Sequence, residues 1–304
     1  MSNLTHEDLK RMLICASDQV LKHKDVINEV NVFPVPDSDT GSNLSSTLIG
    51  IKDRISSESF SDLNTFIDAT LKQALLSSQG NSGIIFSGFL NGWLSVLQHK
   101  KEINISDLSM SVIEGKKAAL KSIQEPLPGT MLDLINAFSI AITHAFREQE
   151  TDIPEVIIKM LPVLRKKVYE TENKMEVLKK NHVVDAGAVG FYFIVKGFAI
   201  ALGMKDEEEK SFVNNRKQIR PYKEDITDHI YEVVSIIDDS SLSQTAMREL
   251  LSSLGNCLDI IQIGKQTKIH IHTDTPEIVN ETIEVMGDVI STQTIDMRDN
   301  SIYK

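Results

Sequence analysis

Apolar residues return every three or four positions along the first two thirds of the chain, the spacing of a helix with one buried face. Leu9, Met12, Leu13, Ala16, Val20 and Leu21 form one such stripe, and Leu44, Leu48, Ile51 and Ile55 form another. Further stripes run through Phe66 to Leu76, Ile84 to Leu97, Val112 to Ile123, Met131 to Phe146, Ile157 to Val168 and Gly190 to Leu202. The polar stretches 151–154 and 171–181 read as loops or helix ends. The pattern predicts an all-helical domain of roughly eight helices over residues 1–205.

The period then changes. Residues 204–225, MKDEEEKSFVNNRKQIRPYKED, are charged and carry Pro221 near their end, which marks a linker at 206–222. Beyond it, LDIIQIGKQTKIHIHTD holds two β-rich runs around Gly264-Lys265-Gln266, a hairpin signature. SQTAMRELLSSLG and PEIVNETIEVMG read as amphipathic helices, with Gly255 and Gly287 where C-caps belong, and ISTQTIDMRD supplies a further strand. Residues 223–304 are therefore expected to form a small α+β domain. The whole is a multi-domain chain of α and α+β parts.

At 304 residues the chain can bury two cores. Its formal net charge of −11 leaves no surplus of Lys and Arg to displace counterions, which argues against a nucleic-acid binder. Cys15 and Cys257 are the only cysteines, far apart in sequence; they make no disulfide framework and fit a reducing compartment. The first residues lack the layout of a signal peptide. The most apolar segment, GFYFIVKGFAIALGM, is too short to span a bilayer and carries Lys196. A cytoplasmic protein with no membrane insertion is expected, and a homodimer is one state open to it.

Chemistry concentrates in small-residue turns. In NVFPVPDSDTGSN, residues 31–43, Pro34 and Pro36 disfavour helix. If the extended path continues, Asp37 and Asp39 project to one side and Ser38 to the other. Two carboxylates about 4 Å apart repel by roughly 4 kcal/mol at an effective dielectric near 20. A hard cation such as magnesium reverses that sign. Gly41 permits a close approach, Ser42 or Asn43 can cap the next helix, and that helix start can seat an anion. An acidic capped turn is the plain alternative. SSQGNSGIIFSGFLNGW places Gly80, Asn81, Ser82 and Gly83 before a second helix, where uncovered amides could meet phosphate, with Gly88 and Gly92 free for close packing. PLPGTMLDLINAF puts Thr130 at an N-cap, and NHVVDAGAVGF carries Asp185, Gly187 and Gly190, with Asp185 readable as a cap.

Taken in order, NVFPVPDSDTGSN, QGNSGIIFSGFLNG, PGTMLD and VVDAGAVGF resemble the ATP-binding subunit of bacterial fatty acid kinase. Its N-terminal domain is similar to the nucleotide-binding L domain of dihydroxyacetone kinase. LSSLGNCLDIIQIGKQTKIHIHTDTPEIV resembles its middle domain, so the likeness covers nearly the whole chain. The resemblance implies a DhaL-like eight-helix barrel with MgATP in a pocket at one end. By position it implies Asp37 and Asp39 as magnesium ligands, with Asn31 where the family has a third Asp or Asn. It implies Thr40, Ser42, Asn43, Asn81, Ser82 and Gly83 around the phosphates, and Thr130, Met131, Asp185 and Gly187 around the nucleotide. Asp37, Asp39 and Ser82 would stand nearest the reacting phosphoryl group. In the family a separate protein presents the fatty acid that accepts it, whereas dihydroxyacetone kinases use a hydroxyacetone–histidine adduct in a different domain.

Three departures from that pattern are visible. Ser38 replaces the usual glycine between the aspartates. The sequence stops at Lys304, without the family's C-terminal domain. His270 and His272 would share one strand face as a zinc-ligand pair, but Lys223 stands where the family has a third, cysteine ligand, and simple hairpin pairing puts Cys257 on the opposite face. A closed zinc site is not expected there. The expected activity is that of the nucleotide-binding component of a two-part phosphotransferase. A non-catalytic nucleotide sensor or assembly protein and a glycerone-type small-molecule kinase are the rivals.

Overall fold

Each of the eight apolar stripes is a helix of fifteen residues or more in the computed structural model, which describes residues 3–33, 36–208, 212 and 229–298. Pro34, Pro221, Lys223 and most of the expected linker lie outside the described residues. The chain divides into two compact units, Met1–Leu120 with Pro126–Tyr222, and Lys121–Glu125 with Lys223–Lys304. The helices are α1 (His6–Lys22), α2 (Lys24–Glu29), α3 (Thr40–Ser56), α4 (Leu63–Ser77), α5 (Gly80–Ser95), α6 (Ile105–Ser122), α7 (Met131–Arg147), α8 (Ile153–Thr171), α9 (Glu176–Asn181) and α10 (Ala186–Ala201). Only α2 and α9, six residues each, had no stripe of their own.

Helix starts follow local chemistry. Thr5 and Asp8 form a reciprocal capping box at α1, with Thr5 N–H donating to Asp8 at 2.8 Å and Asp8 N–H to Thr5 at 3.3 Å. Asp152 caps α8 ahead of Pro154, a residue that fits the first helical turn. α10 is buried on every side, as befits a helix apolar all round, and packs against α1, α2, α3, α7 and α8. Phe191 of α10 meets Phe89 of α5 and Phe138 of α7 edge to face, with ring centroids 5.5 and 5.9 Å apart. Lys196, buried within α10, donates to the Glu207 carbonyl at 2.9 Å and pairs with Asp206 at 3.5 Å, which satisfies the charge. Among the described residues no helix is long and apolar enough to cross a membrane.

The second unit contains β1 (Tyr231–Asp238), α11 (Gln244–Leu251), β2 (Asn256–Ile263), β3 (Gln266–Thr273), α12 (Pro276–Glu284) and β4 (Asp288–Asp296). Its strands pair antiparallel in the order β2-β3-β1-β4. The hairpin is tighter than expected, because Ile263 pairs with Gln266 and leaves Gly264-Lys265 as the turn, with Gly264 at φ +59°. β1 is an unexpected inner strand; Glu232 and Ser235 interrupt its apolar residues, so it carries little of the usual strand signal. Val233, Ile237, Leu258, Ile260, Ile269 and Ile271 turn one sheet face toward Met247 and Leu251 of α11 and Val279 and Ile283 of α12. A helical unit followed by a small α+β unit is the expected multi-domain class.

The path into α3 differs from the extended one expected. Ser38 adopts φ +59°, a left-handed conformation, and Asp39 already has near-helical angles at the N-cap position. Ser42 and Asn43 consequently lie inside the first turn and are not caps. The left-handed kink also explains why a glycine suits position 38.

Two stability predictions arise. A methyl group on Gly197 would lie 2.5 Å from the Ala16 backbone, so Gly197→Ala should force α10 away from α1 and destabilise the helical unit by about 1–3 kcal/mol in urea unfolding. Ser38→Gly should instead raise the unfolding midpoint, by about 1 kcal/mol or less, because glycine relieves the left-handed strain; a lowered midpoint would contradict that origin.

Candidate functional site

Two asparagines from the end of α2 organise the start of α3. Asn28 Oδ1 accepts the N–H groups of Gly41 and Ser42 at 2.7 and 3.2 Å, while its amide donates to the Ser42 hydroxyl at 3.0 Å. Asn31 is buried, and its Oδ1 accepts both the Thr40 N–H at 3.0 Å and the Thr40 hydroxyl. Its Nδ2 donates to Asp37 at 3.3 Å. Asn43 N–H is taken by the Asp39 carbonyl at 2.8 Å. The first-turn amides of α3 are therefore occupied, and the anion seat expected there is closed. The Asn31 oxygen, the atom that could meet a metal, is likewise engaged with Thr40.

The aspartates nonetheless come together. Asn43 Nδ2 donates to Asp39 Oδ2 at 2.8 Å, and the Asp39 side chain caps no backbone N–H of the helix it precedes. Solvent reaches Asp37. Protein crowds it from the other side and Asp39 adds its repulsion and a shared hydrogen bond, which together push the Asp37 carboxyl up to about 7. Paired carboxylate oxygens are the donor type that hard divalent cations prefer.

The second motif packs directly on the first. A methyl on Gly80 would lie 2.5 Å from Asn43 Nδ2, and one on Gly83 would lie 2.4 Å from the Thr47 hydroxyl. That hydroxyl accepts Gln79 N–H at 3.1 Å and donates to the Asn43 carbonyl at 2.8 Å. Ser82, largely buried, donates to the Thr40 carbonyl at 3.4 Å. Asn81 stands beside it in the first turn of α5, where Gln79 contributes no side-chain cap. Asn28 and Thr47 were not expected in this group; the only hints in sequence are their spacing from Asn31 and Asn43.

The third and fourth motifs form their own cluster. Thr130 caps α7 through the Leu132 N–H at 3.4 Å. Asp185, buried, caps α10 by accepting the Ala188 N–H at 2.7 Å, and backbone groups of Met131 and Gly187 also bear on it. Burial pushes its carboxyl up to about 7 against the pull of those N–H groups. A methyl on Gly187 would touch Asp185 and Met131, each at 3.2 Å. Gly190, one turn along α10, leaves room for Leu44 of α3 at 2.5 Å, so α10 links the two clusters. A separate groove of about 450 Å³ between α7 and α8 is lined by Ile140, Met160 and Val163, and none of the expected site residues lines it. In the second unit His270 and His272 share a face of β3, with ring centroids 5.0 Å apart.

Residues 34–200 match the DAK2 domain, and residues 228–302 match the FakA-like middle domain of fatty acid kinase. The chain is 27% identical over 302 residues to an uncharacterised protein of Staphylococcus haemolyticus and 26% identical over 303 residues to protein YloV of Bacillus subtilis. Each match covers 95% of this chain and 54% of the relative, so the chain spans about half the length of the curated relatives it matches. A solved structure of dihydroxyacetone kinase from C. freundii, in complex with AMP-PNP and Mg2+, is similar at a TM-score of 0.49 and 14% identity, over 66% of this chain and 35% of that one. Because more than half of its length matches the DAK2 domain, and that half holds all four motifs apart from the first few residues of the first, the chain belongs to the DAK2-domain family.

Proposed function

We propose that the helical unit is the ATP-binding component of a kinase, which passes a phosphoryl group to a fatty acid or similar small acceptor presented by a partner protein. One observation carries this: the Asp37–Asp39 pair is drawn together where α3 and α5 begin, in a DAK2-family chain. Magnesium, when bound, neutralises phosphate charge and fixes the geometry of the oxygens. Asp37 and Asp39 would hold that ion, and Asn31 would hold Asp37 in place through its amide.

With the amides of α3 occupied, phosphate contact on that side falls to the side chains of Thr40, Ser42 and Asn43. The uncapped start of α5, at Asn81 and Ser82, would supply backbone N–H groups for the γ-phosphate and its developing charge, while the Gly83 N–H is already taken by the Gln79 carbonyl at 3.1 Å. Thr130, Met131, Asp185 and Gly187 would border the rest of the nucleotide. Phosphoryl transfer needs positioning and charge neutralisation above all, so no covalent nucleophile is required of this chain.

Calorimetry with MgATP tests the first half of the proposal. Asp37→Asn and Asp39→Asn should each weaken binding by at least about tenfold, since each removes a charged ligand; unchanged affinity would remove the metal assignment. ATP consumption then tests the acceptor. Turnover should require a fatty-acid-carrying protein, and turnover with dihydroxyacetone alone would shift the assignment to a small-molecule kinase.

A further inference from the structure

The charged run after α10 reads as a solvated linker, yet its first residues are held against the helical unit. Lys196, on α10, donates to the Glu207 carbonyl at 2.9 Å and pairs with Asp206 at 3.5 Å. Asp206 also accepts from Lys22 of α1 at 2.8 Å and from Gln19 at 3.1 Å. The Lys22 bond holds its carboxyl below the ordinary carboxylate range, so the ion pair is in place at neutral pH. Phe212 is the first apolar residue beyond Met204, and it is only 2% exposed. Its ring sits among Tyr169 of α8 and Tyr192 and Phe193 of α10, at centroid distances of 5.6, 5.2 and 5.8 Å. The Arg165 guanidinium lies 4.9 Å from its centroid.

These contacts run backwards along α10. Asp206 and Glu207 meet Lys196, and Phe212 meets Tyr192 and Phe193, so the chain returns toward the start of the helix it has just left. At about 1.5 Å per residue, Leu202 lies roughly 24 Å from that start and Tyr192 roughly 9 Å. Tyr169 stands in the last turn of α8, whose Thr171 hydroxyl accepts the Asp185 N–H at 2.9 Å. Phe212 is therefore anchored on the two helices that also hold Asp185. We propose that residues 203–208 and Phe212 act as a docked strap, which brings the chain back along α10 and makes the remaining connection, residues 213–228, start from the Asp185 end of the helical unit. Undocking would move that starting point toward the far end of α10, by roughly 15 Å. A charged run that merely rested in solvent would leave Phe212 exposed and Asp206 without its three donors. Where Asp185 borders a nucleotide, the connection starts beside it; that consequence alone rests on the kinase reading.

The test needs no nucleotide, so its outcome is independent of the MgATP titrations. Trypsin requires several residues on each side of its cut to be free and extended. Lys205 is exposed but lies inside the strap. In the full chain, cleavage after Lys205 should be at least about a hundredfold slower than in a free peptide of residues 199–218. Phe212→Ala should speed it by at least about tenfold, and Asp206→Asn should speed it as well. Arg165→Ala should have a clear effect in the unaltered chain and little in the Phe212→Ala background, because the two groups touch. Cleavage of the folded chain at the peptide's rate, or no response to Phe212→Ala, would overturn the proposal. Additive effects of Arg165→Ala and Phe212→Ala would place Phe212 elsewhere and overturn the path. The unaltered chain and the peptide alone decide the docking if a variant fails to fold.

Discussion

The contacts at the start of α3 turn on holding two like-charged carboxylates together. Asp37 and Asp39 would separate if the backbone and its neighbours allowed it. Ser38 turns left-handed between them, Asn31 grips Asp37 and Asn43 grips Asp39. Each restraint comes from a neutral group, so none cancels the repulsion. Burial and the neighbouring Asp39 both raise the Asp37 carboxyl, so either a shared proton or a divalent cation would relieve that repulsion.

The same restraints explain which helix can meet an anion. Asn31, which holds Asp37, also covers the Thr40 N–H, and Asn28 covers those of Gly41 and Ser42. α3 thus becomes a rigid platform for carboxylates and hydroxyls. The neighbouring α5 begins without a side-chain cap and sits close because Gly80 and Gly83 have no side chain to hold it off Asn43 and Thr47. A helix start with its amides covered and one without a side-chain cap are thus brought together where glycine allows the two helices to touch.

The helices were legible from their apolar stripes, and some from a short-range start signal as well, as at Thr130 and Asp185, which cap α7 and α10 as their positions suggest. Pairwise geometry was not. Asn28 reaches the start of α3 only through the turn from α2, a tertiary contact with no periodic trace in the sequence. Ser38 shows the limit from the other side. Proline and alternation favour an extended path, yet the helix start at Asp39 requires a reversal within one residue, and a left-handed residue provides it. β1 was hidden because Glu232 and Ser235 break its run of branched residues. Its inner place in the sheet is set by pairing with β3 and β4, 30 or more residues away in the chain.

That hidden strand changes what the histidines can be. On β3 alone, His270 and His272 have no acidic neighbour. Register with β1 sets Glu232 against them and register with β2 sets Asp259 behind them, so this polar cluster exists only once the sheet has formed. The aspartate pair is the reverse case, with both carboxylates two residues apart and brought together by one local kink.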